Sequence, residues 1–360
     1  MTEAKLLRGG YYIMGEVTMN DKDNIENKNY FHQKYNKKYF SLKDIKGKYF
    51  PVGHGLTYAF KIDTVHMLFD INAQCNLDDL EKFYGNKKID FMIVSHFHVD
   101  HMGGIKKLND AKFCINTIYI PHLNDDEKLL LEIQYFLKNQ TYQSFEQMIE
   151  NLGIRVIEVD GWLPLSYPVW EFNIHQNRGN ASEIINDIRK ELLGLGFKDN
   201  NDVRKYIQIN NDVSKIKEIY QKVMKRKSLN ETSIFLEHGP VLDKIKVNQI
   251  KGTEYMPANN KYDCFNTHSL ITADINLRKN KNVISMYYNK LGFVLVPHHS
   301  GSKEWDDYIC KNTKNVVWIV TISKIASRPY GKVVQGIYGN NQKLYICDKK
   351  QAFEYDYIVN

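Results

Sequence analysis

Three imidazoles and one carboxylate fall within six positions in His96-Phe97-His98-Val99-Asp100-His101. Ligand-type side chains at that density point to metal chemistry rather than to a polar loop with scattered histidines. Imidazole and carboxylate suit zinc, manganese or iron, and two such ions can activate water for hydrolysis. Other residues carry the same chemistry. Asp70 closes the run Met67-Leu68-Phe69, where a carboxylate can accept a hydrogen bond from a ligand imidazole and fix its orientation. Asp274 follows Ser269-Leu270-Ile271-Thr272-Ala273 and could bridge two metals. His298 and His299 follow Phe293-Val294-Leu295-Val296-Pro297. Ser300, Ser302 and Lys303 come next, and hydroxyl, backbone N–H and ammonium groups there could bind a phosphate.

These side chains need elements that bring them together. The His96 cluster directly follows Ile89 to Val94, an apolar run that reads as a buried strand. Asp70, Asp274 and the His298-His299 pair also stand at strand ends, where layered α/β folds gather their sites. Leu56 to Ile62 and Val65 to Ile71 read as a hairpin around Asp63-Thr64, Leu77 to Phe83 as a helix, and Gly104 to Leu108 as the start of another. Asp125 to Leu152 has apolar residues at helical spacing. Strands are expected at Ile154–Val159, Val169–Ile174, Ser233–Glu237, Ser269–Thr272, Gly292–Val296, Val316–Thr321 and Lys343–Cys347. Strands alternating with helices in both halves predict an α/β sandwich of two sheets covered by helices. Residues 1–48 read as a polar N-terminal extension and 49–360 as one domain with a helical insertion at 178–229. Lys215, Lys217, Lys222, Lys225, Arg226 and Lys227 crowd one helix of that insertion, as a solvated face or as a basic lid over an anionic substrate.

Composition bounds the classes available. With 360 residues, 43% of them apolar, the chain can bury a full core. The net charge of +7 favours an anionic partner but is too diffuse to establish nucleic-acid binding. No run approaches eighteen apolar residues and no secretory pattern opens the chain, so a cytoplasmic protein without a membrane partner is expected. Cys75, Cys114, Cys264, Cys310 and Cys347 lie far apart without a CxxC pair, which reads as reduced thiols rather than structural zinc.

His96-Phe97-His98-Val99-Asp100-His101 resembles the HxHxDH signature of the metallo-β-lactamase fold superfamily. Val52-Gly53-His54-Gly55, Phe69-Asp70, Asp100-His101-Met102-Gly103-Gly104, Asn230 to Glu237, Leu270 to Asp274 and Val296 to Ser302 resemble, in order, motifs of the hydrolase domain of ComEC-type DNA-uptake proteins. This resemblance implies an αββα sandwich and a centre for two divalent metal ions, zinc first with manganese or iron as alternatives. His96 and His98 would hold one ion. Asp100, His101 and one of His298 or His299 would hold the other, with Asp274 between them. Asp70, Asp100 and Asn230 are then the candidate catalytic residues. Asn230 stands where many members of the superfamily supply a third histidine. His175, expected just after a strand, and His238, expected in a loop, are the other candidates for that ligand. A cap over the site is expected from 178–229 and from about 240–266. The implied activity is phosphodiester hydrolysis of nucleic acid or a nucleotide. Ester, thioester or lactam hydrolysis on the same site, or a non-catalytic nucleotide-sensing or partner-binding module, are the alternatives.

Overall fold

The computed structural model describes residues 44–359, apart from 54, 168, 177–180, 210–213, 225–232, 257–265, 302–303, 323–328 and 330. His54, Asn230, Ser302, Lys303, Lys225, Arg226 and Lys227 therefore lie outside the described residues. The first half of the chain runs β1 (Ile45–Tyr49), β2 (Tyr58–Ile62), β3 (Val65–Phe69), α1 (Leu77–Tyr84), β4 (Lys88–Ile89) and β5 (Phe91–Ile93). It continues with α2 (Val99–Met102), α3 (Ile105–Asp110), β6 (Cys114–Ile115), β7 (Thr117–Pro121), α4 (Asp125–Asn139), α5 (Phe145–Glu150) and β8 (Arg155–Val159). Then come β9 (Trp162–Tyr167), β10 (Trp170–Gln176), α6 (Ala181–Gly194), α7 (Asn200–Ile209), α8 (Ser214–Met224) and β11 (Ile234–Pro240). The last part holds β12 (Ile245–Lys251), β13 (Thr253–Met256), β14 (His268–Ile271), α9 (Lys281–Ser285), β15 (Leu291–Leu295), a 3₁₀ turn (Pro297–His299) and α10 (Tyr308–Asn312). It ends with β16 (Val317–Thr321), α11 (Gly331–Gly339), β17 (Lys343–Cys347) and β18 (Phe353–Val359).

Among the described residues the strands form two large sheets, ordered β12-β18-β1-β2-β3-β5-β7-β8 and β13-β17-β16-β15-β14-β11-β10-β9. Side chains alternate between sheet faces, so each strand feeds two cores. Phe60, Met67, Phe69, Phe91 and Ile93 of the first sheet meet Phe172, Ile174, Leu236, Phe293 and Ile319 of the second. On the outer face of the first sheet, Leu68, Met92 and Ile118 pack under Leu80, Phe83, Ile105 and Leu108 of α1 and α3. On the outer face of the second, Leu270, Val294, Trp318 and Leu344 pack under Ile284, Ile309, Val333 and Ile337 of α9, α10 and α11. The architecture is the expected four-layer αββα sandwich.

Two features differ from the sequence reading, and a third agrees with it. β1 pairs with both β2 and β18, so the chain enters the sheet at Ile45, inside the stretch read as an extension to residue 48. The segment after β11 is not a cap where it is described: β12 adds to β18 at the edge of one sheet and β13 to β17 at the edge of the other. The helices α6, α7 and α8 do form, and they bury Ile188, Leu192, Val203, Ile207, Ile216 and Ile219 against Leu129, Ile133 and Phe136 of α4.

Candidate metal centre

β3, β5 and β7 run parallel, as do β14, β15 and β16, and the candidate ligands leave their C-terminal ends. β5 is three residues long and fully buried, and its exit is held between neighbours by Asp70 N–H donating to Ile93 O at 2.8 Å and Val94 N–H to Tyr119 O at 2.9 Å. The chain then turns into α2, with the carbonyl of His98 just before it accepting from His101 N–H at 3.0 Å and Met102 N–H at 3.1 Å. Gly104 lets this turn lie against the exit of β3: a Cβ there would stand 2.5 Å from Ile71 Cγ1 and 2.9 Å from Asn72 O. Asn72 Nδ2 donates to Asp100 O at 3.0 Å, so the loop after β3 also holds the turn that carries Asp100.

The ligand-type atoms form two groups. His96, His98 and Asp274 make one; Asp100, His101 and His299 make the other. Asp274 faces both, with Oδ2 3.6 Å from His96 Nε2 and Oδ1 3.6 Å from His101 Nε2. Asp100 Oδ2 lies 3.6 Å from His101 Nε2 and 3.5 Å from His299 Nε2. Nitrogen and oxygen atoms that share an ion at about 2.1 Å stand roughly 3–3.5 Å apart. His101 Nε2 is buried and has no hydrogen-bond partner. A buried imidazole nitrogen aimed at two carboxylates without a proton partner fits a divalent cation between them. His298 is set further out, 31% exposed, with Nδ1 3.8 Å from both Asp274 Oδ2 and Glu304 Oε1. The structure thus gathers His299, rather than His298, with Asp100 and His101.

The fold also orients the rings. Asp70 is completely buried, and His101 Nδ1 donates to its Oδ2 at 2.6 Å, which turns Nε2 toward Asp100 and Asp274. His299 Nδ1 lies 3.1 Å from Thr321 O and 3.0 Å from Thr321 Oγ1, which turns its Nε2 toward Asp100. Thr321 ends β16, and nothing in its local sequence marked it; only the parallel pairing of β15 and β16 brings it to His299. Backbone strain concentrates at the same place. Ala273, His298, His299 and Ser300 have φ of 46°, 49°, 49° and 74°. Each such residue costs on the order of 1–3 kcal/mol and persists where the surroundings hold it, here by His298 N–H donating to Ala273 O at 2.9 Å.

Charge follows from burial and from the carboxylates. Burial and the surrounding imidazoles hold His96 well below the usual histidine range, so it is neutral and able to donate a lone pair. Burial also lowers His98. For His101 burial opposes the charged form, but Asp70 and Asp274 outweigh it and raise the imidazole to about 9. Asp274 and Asp100 are both lowered, because the nearby histidines more than offset the effect of burial.

Residues 52–163 match the Metallo-beta-lactamase superfamily, the stretch that carries β2 to β8 and the whole His96–His101 turn. With the αββα layers, that decides the architecture. The fold is that of the metallo-β-lactamase superfamily. A "Beta-lactamase-like protein 2 homolog" of Caenorhabditis elegans is 24% identical over 160 residues, covering 44% of this chain and 45% of that protein. The chain therefore spans less than half the length of the curated relative it matches. Among solved structures, the metallo-β-lactamase fold protein YhfI from Bacillus subtilis superposes with a TM-score of 0.43 at 12% identity, over 86% of this chain and 100% of that one. Igni18, described as a novel metallo hydrolase from Ignicoccus hospitalis, gives 0.42 at 11% identity over 86% and 99%. Unliganded yeast PDE1 gives 0.46 at 8% identity over 86% and 99%.

Within this metallo-β-lactamase fold, several expected residues are placed elsewhere. His238 is not in a loop: it lies inside β11, fully buried between the sheets, where Trp170 Nε1 donates to its Nδ1 at 3.1 Å and its Nε2 meets Tyr58 Oη at 2.9 Å. His175 lies within β10 rather than after it, and its Nε2 is taken by Tyr287 Oη at 2.8 Å. Neither joins the two groups. Ser300 is fully buried within the strained turn. Asn230, Ser302 and Lys303 lie outside the described residues. Among the described residues no helix is long and apolar enough to cross a membrane.

Proposed function

We infer that the protein is a metal-dependent phosphodiesterase that acts on nucleic acid or a nucleotide. The observation that carries the reading is Asp274, whose two carboxylate oxygens each face an imidazole of a different ligand group at 3.6 Å. His96, His98 and Asp274 would hold one divalent ion; Asp100, His101, His299 and the second oxygen of Asp274 would hold the other. When bound, such a pair of ions, zinc, manganese or iron by donor type, makes water a nucleophile at neutral pH and stabilises charge on attacking and leaving oxygens. The chain's own part is positional. Asp70 and Thr321 keep Nε2 of His101 and His299 turned into the site. Burial keeps His96 unprotonated. Asp100, at the start of α2, is held through its carbonyl by Asn72 and stays ionised beside His101 and His299. His98, Asp100 and His298 are the part-exposed members of the cluster, which puts the approach of a substrate on their side.

An anionic phosphodiester is favoured by the net charge of +7 and by the resemblance of the ordered motifs to ComEC-type hydrolase domains. Ser302 and Lys303, next to the His298-His299 turn, are the residues we assign to phosphate. The test is metal analysis followed by assay of the ion-loaded protein on bis-p-nitrophenyl phosphate, DNA, RNA and cyclic dinucleotides. The expected result is turnover that Asp100→Ala abolishes. Inertness of the ion-loaded native protein on all of these substrates, equal to that of the variant, would overturn the phosphodiesterase reading and leave a binding module. Turnover confined to ester, thioester or lactam probes would move the assignment to acyl substrates.

A further inference from the structure

Asp70 serves more than one ring. Its Oδ1 accepts from Ser95 N–H at 2.7 Å, and its Oδ2 accepts from the Ser95 hydroxyl at 2.6 Å as well as from His101. The same hydroxyl oxygen lies 2.9 Å from His96 Nδ1 and 3.3 Å from His101 Nδ1. Ser95 is fully buried and has one hydroxyl proton to give. The hydroxyl gives that proton to Asp70 Oδ2. Ser95 Oγ must then act as an acceptor toward His96, so His96 Nδ1 carries a hydrogen. That leaves the lone pair of His96 on Nε2, which faces Asp274 Oδ2 at 3.6 Å and His98 Nδ1 at 3.0 Å.

We propose that Ser95 is the positioning residue of the His96–His98–Asp274 ion position, setting the tautomer and direction of His96 through a chain from Nδ1–H to Ser95 Oγ–H to Asp70. One buried carboxylate thereby orients a histidine of each group, His101 directly and His96 through Ser95. The main chain reinforces the placement: Ile234 N–H, at the start of β11, donates to Ser95 O at 2.8 Å, which ties the turn of the first sheet to the second. Ser95 touches no reacting atom; it acts through His96. The proposal rests on the reading of His96, His98 and Asp274 as an ion position.

Two readouts test it. In the metal-free protein labelled at histidine nitrogen, long-range proton–nitrogen spectra should show His96, assigned by its loss in His96→Gln, as the Nδ1–H form. Ser95→Ala should convert it to the Nε2–H form or a mixture, and Ser95→Thr, which keeps the hydroxyl, should retain the native signature. In zinc titrations, Ser95→Ala should weaken one of the two binding steps roughly 10- to 100-fold and leave the other unchanged. If the alanine chain does not fold, Ser95→Cys keeps the volume with a poor hydrogen-bonding group and gives the same ring readout. A native-like His96 ring in Ser95→Ala, or equal weakening of both steps, overturns the role of Ser95. Absence of zinc uptake by the native chain defeats the two-ion reading instead, and the ring spectra of the metal-free protein still decide Ser95.

Discussion

His101 is the residue on which the centre turns. It sits completely buried between Asp70 on one side and Asp100 and Asp274 on the other. Raised to about 9, it carries a proton at pH 7 that an ion at Nε2 must displace. Ion uptake at pH 7 is therefore expected to release about one proton from this ring, seen as a dependence of the calorimetric binding heat on the ionisation enthalpy of the buffer. His101→Gln should remove that dependence. Gly55 supports the same spot from behind. Its φ is +116°, and a Cβ would stand 2.1 Å from Asn72 Nδ2 and 2.5 Å from Asp100 O. Gly55→Ala should push the Asp100 turn outward and weaken ion binding at least tenfold by titration, with the far-ultraviolet dichroism unchanged. Unaltered affinity would show that the 53–57 loop does not hold the site.

The inserted helices hold to the sandwich partly through one buried charge. Glu132 on α4 is fully buried and accepts from Arg204 Nε of α7 at 2.7 Å, from Tyr142 Oη at 3.1 Å and from Phe145 N–H at 3.0 Å. Losing one partner of such a pair leaves an uncompensated charge, at a cost of about 3 kcal/mol. Arg204→Met is expected to destabilise by that order in urea unfolding, and adding Glu132→Gln should recover part of it. On α8, Lys222 already pairs with Glu191 of α6 at 2.7 Å. This pairing explains part of the basic run as a solvated helix face. The lid idea keeps one clear test: reversing Lys222, Lys225 and Arg226 should raise KM for a polyanion and flatten its salt dependence. An unchanged KM across a salt series would end it.

At the scale of the whole molecule, buried histidines outside the two ligand groups set the acid limit. Burial lowers His175 to about 4 and holds His238 well below its usual range. In the unfolded chain these rings take up protons near pH 6.5, so the stability they contribute is complete above that value and is lost as pH falls toward 4. For His175 alone the loss is about 3 kcal/mol. The metal-free protein should unfold at markedly lower urea at pH 4.5 than at pH 7, and His175→Gln should flatten that slope. By itself the sequence determined the layered α/β class, because apolar periodicity reports which faces are buried, and it singled out the candidate ligands, because three imidazoles and one carboxylate crowd into positions 96 to 101. It could also place Asp70, Asp274 and the His298-His299 pair at strand ends, where ligand-type residues after apolar runs are a local signal. It could not see where β11 ends, so His238 read as a loop residue although the strand continues to Pro240. Nor could it choose His299 over His298 beside Asp100, or find Thr321 and the orienting hydroxyl of Ser95. Those choices depend on which strand ends lie side by side and on left-handed turns of a few residues. Only the packing of two sheets, with contacts between residues up to a hundred or more positions apart, decides them.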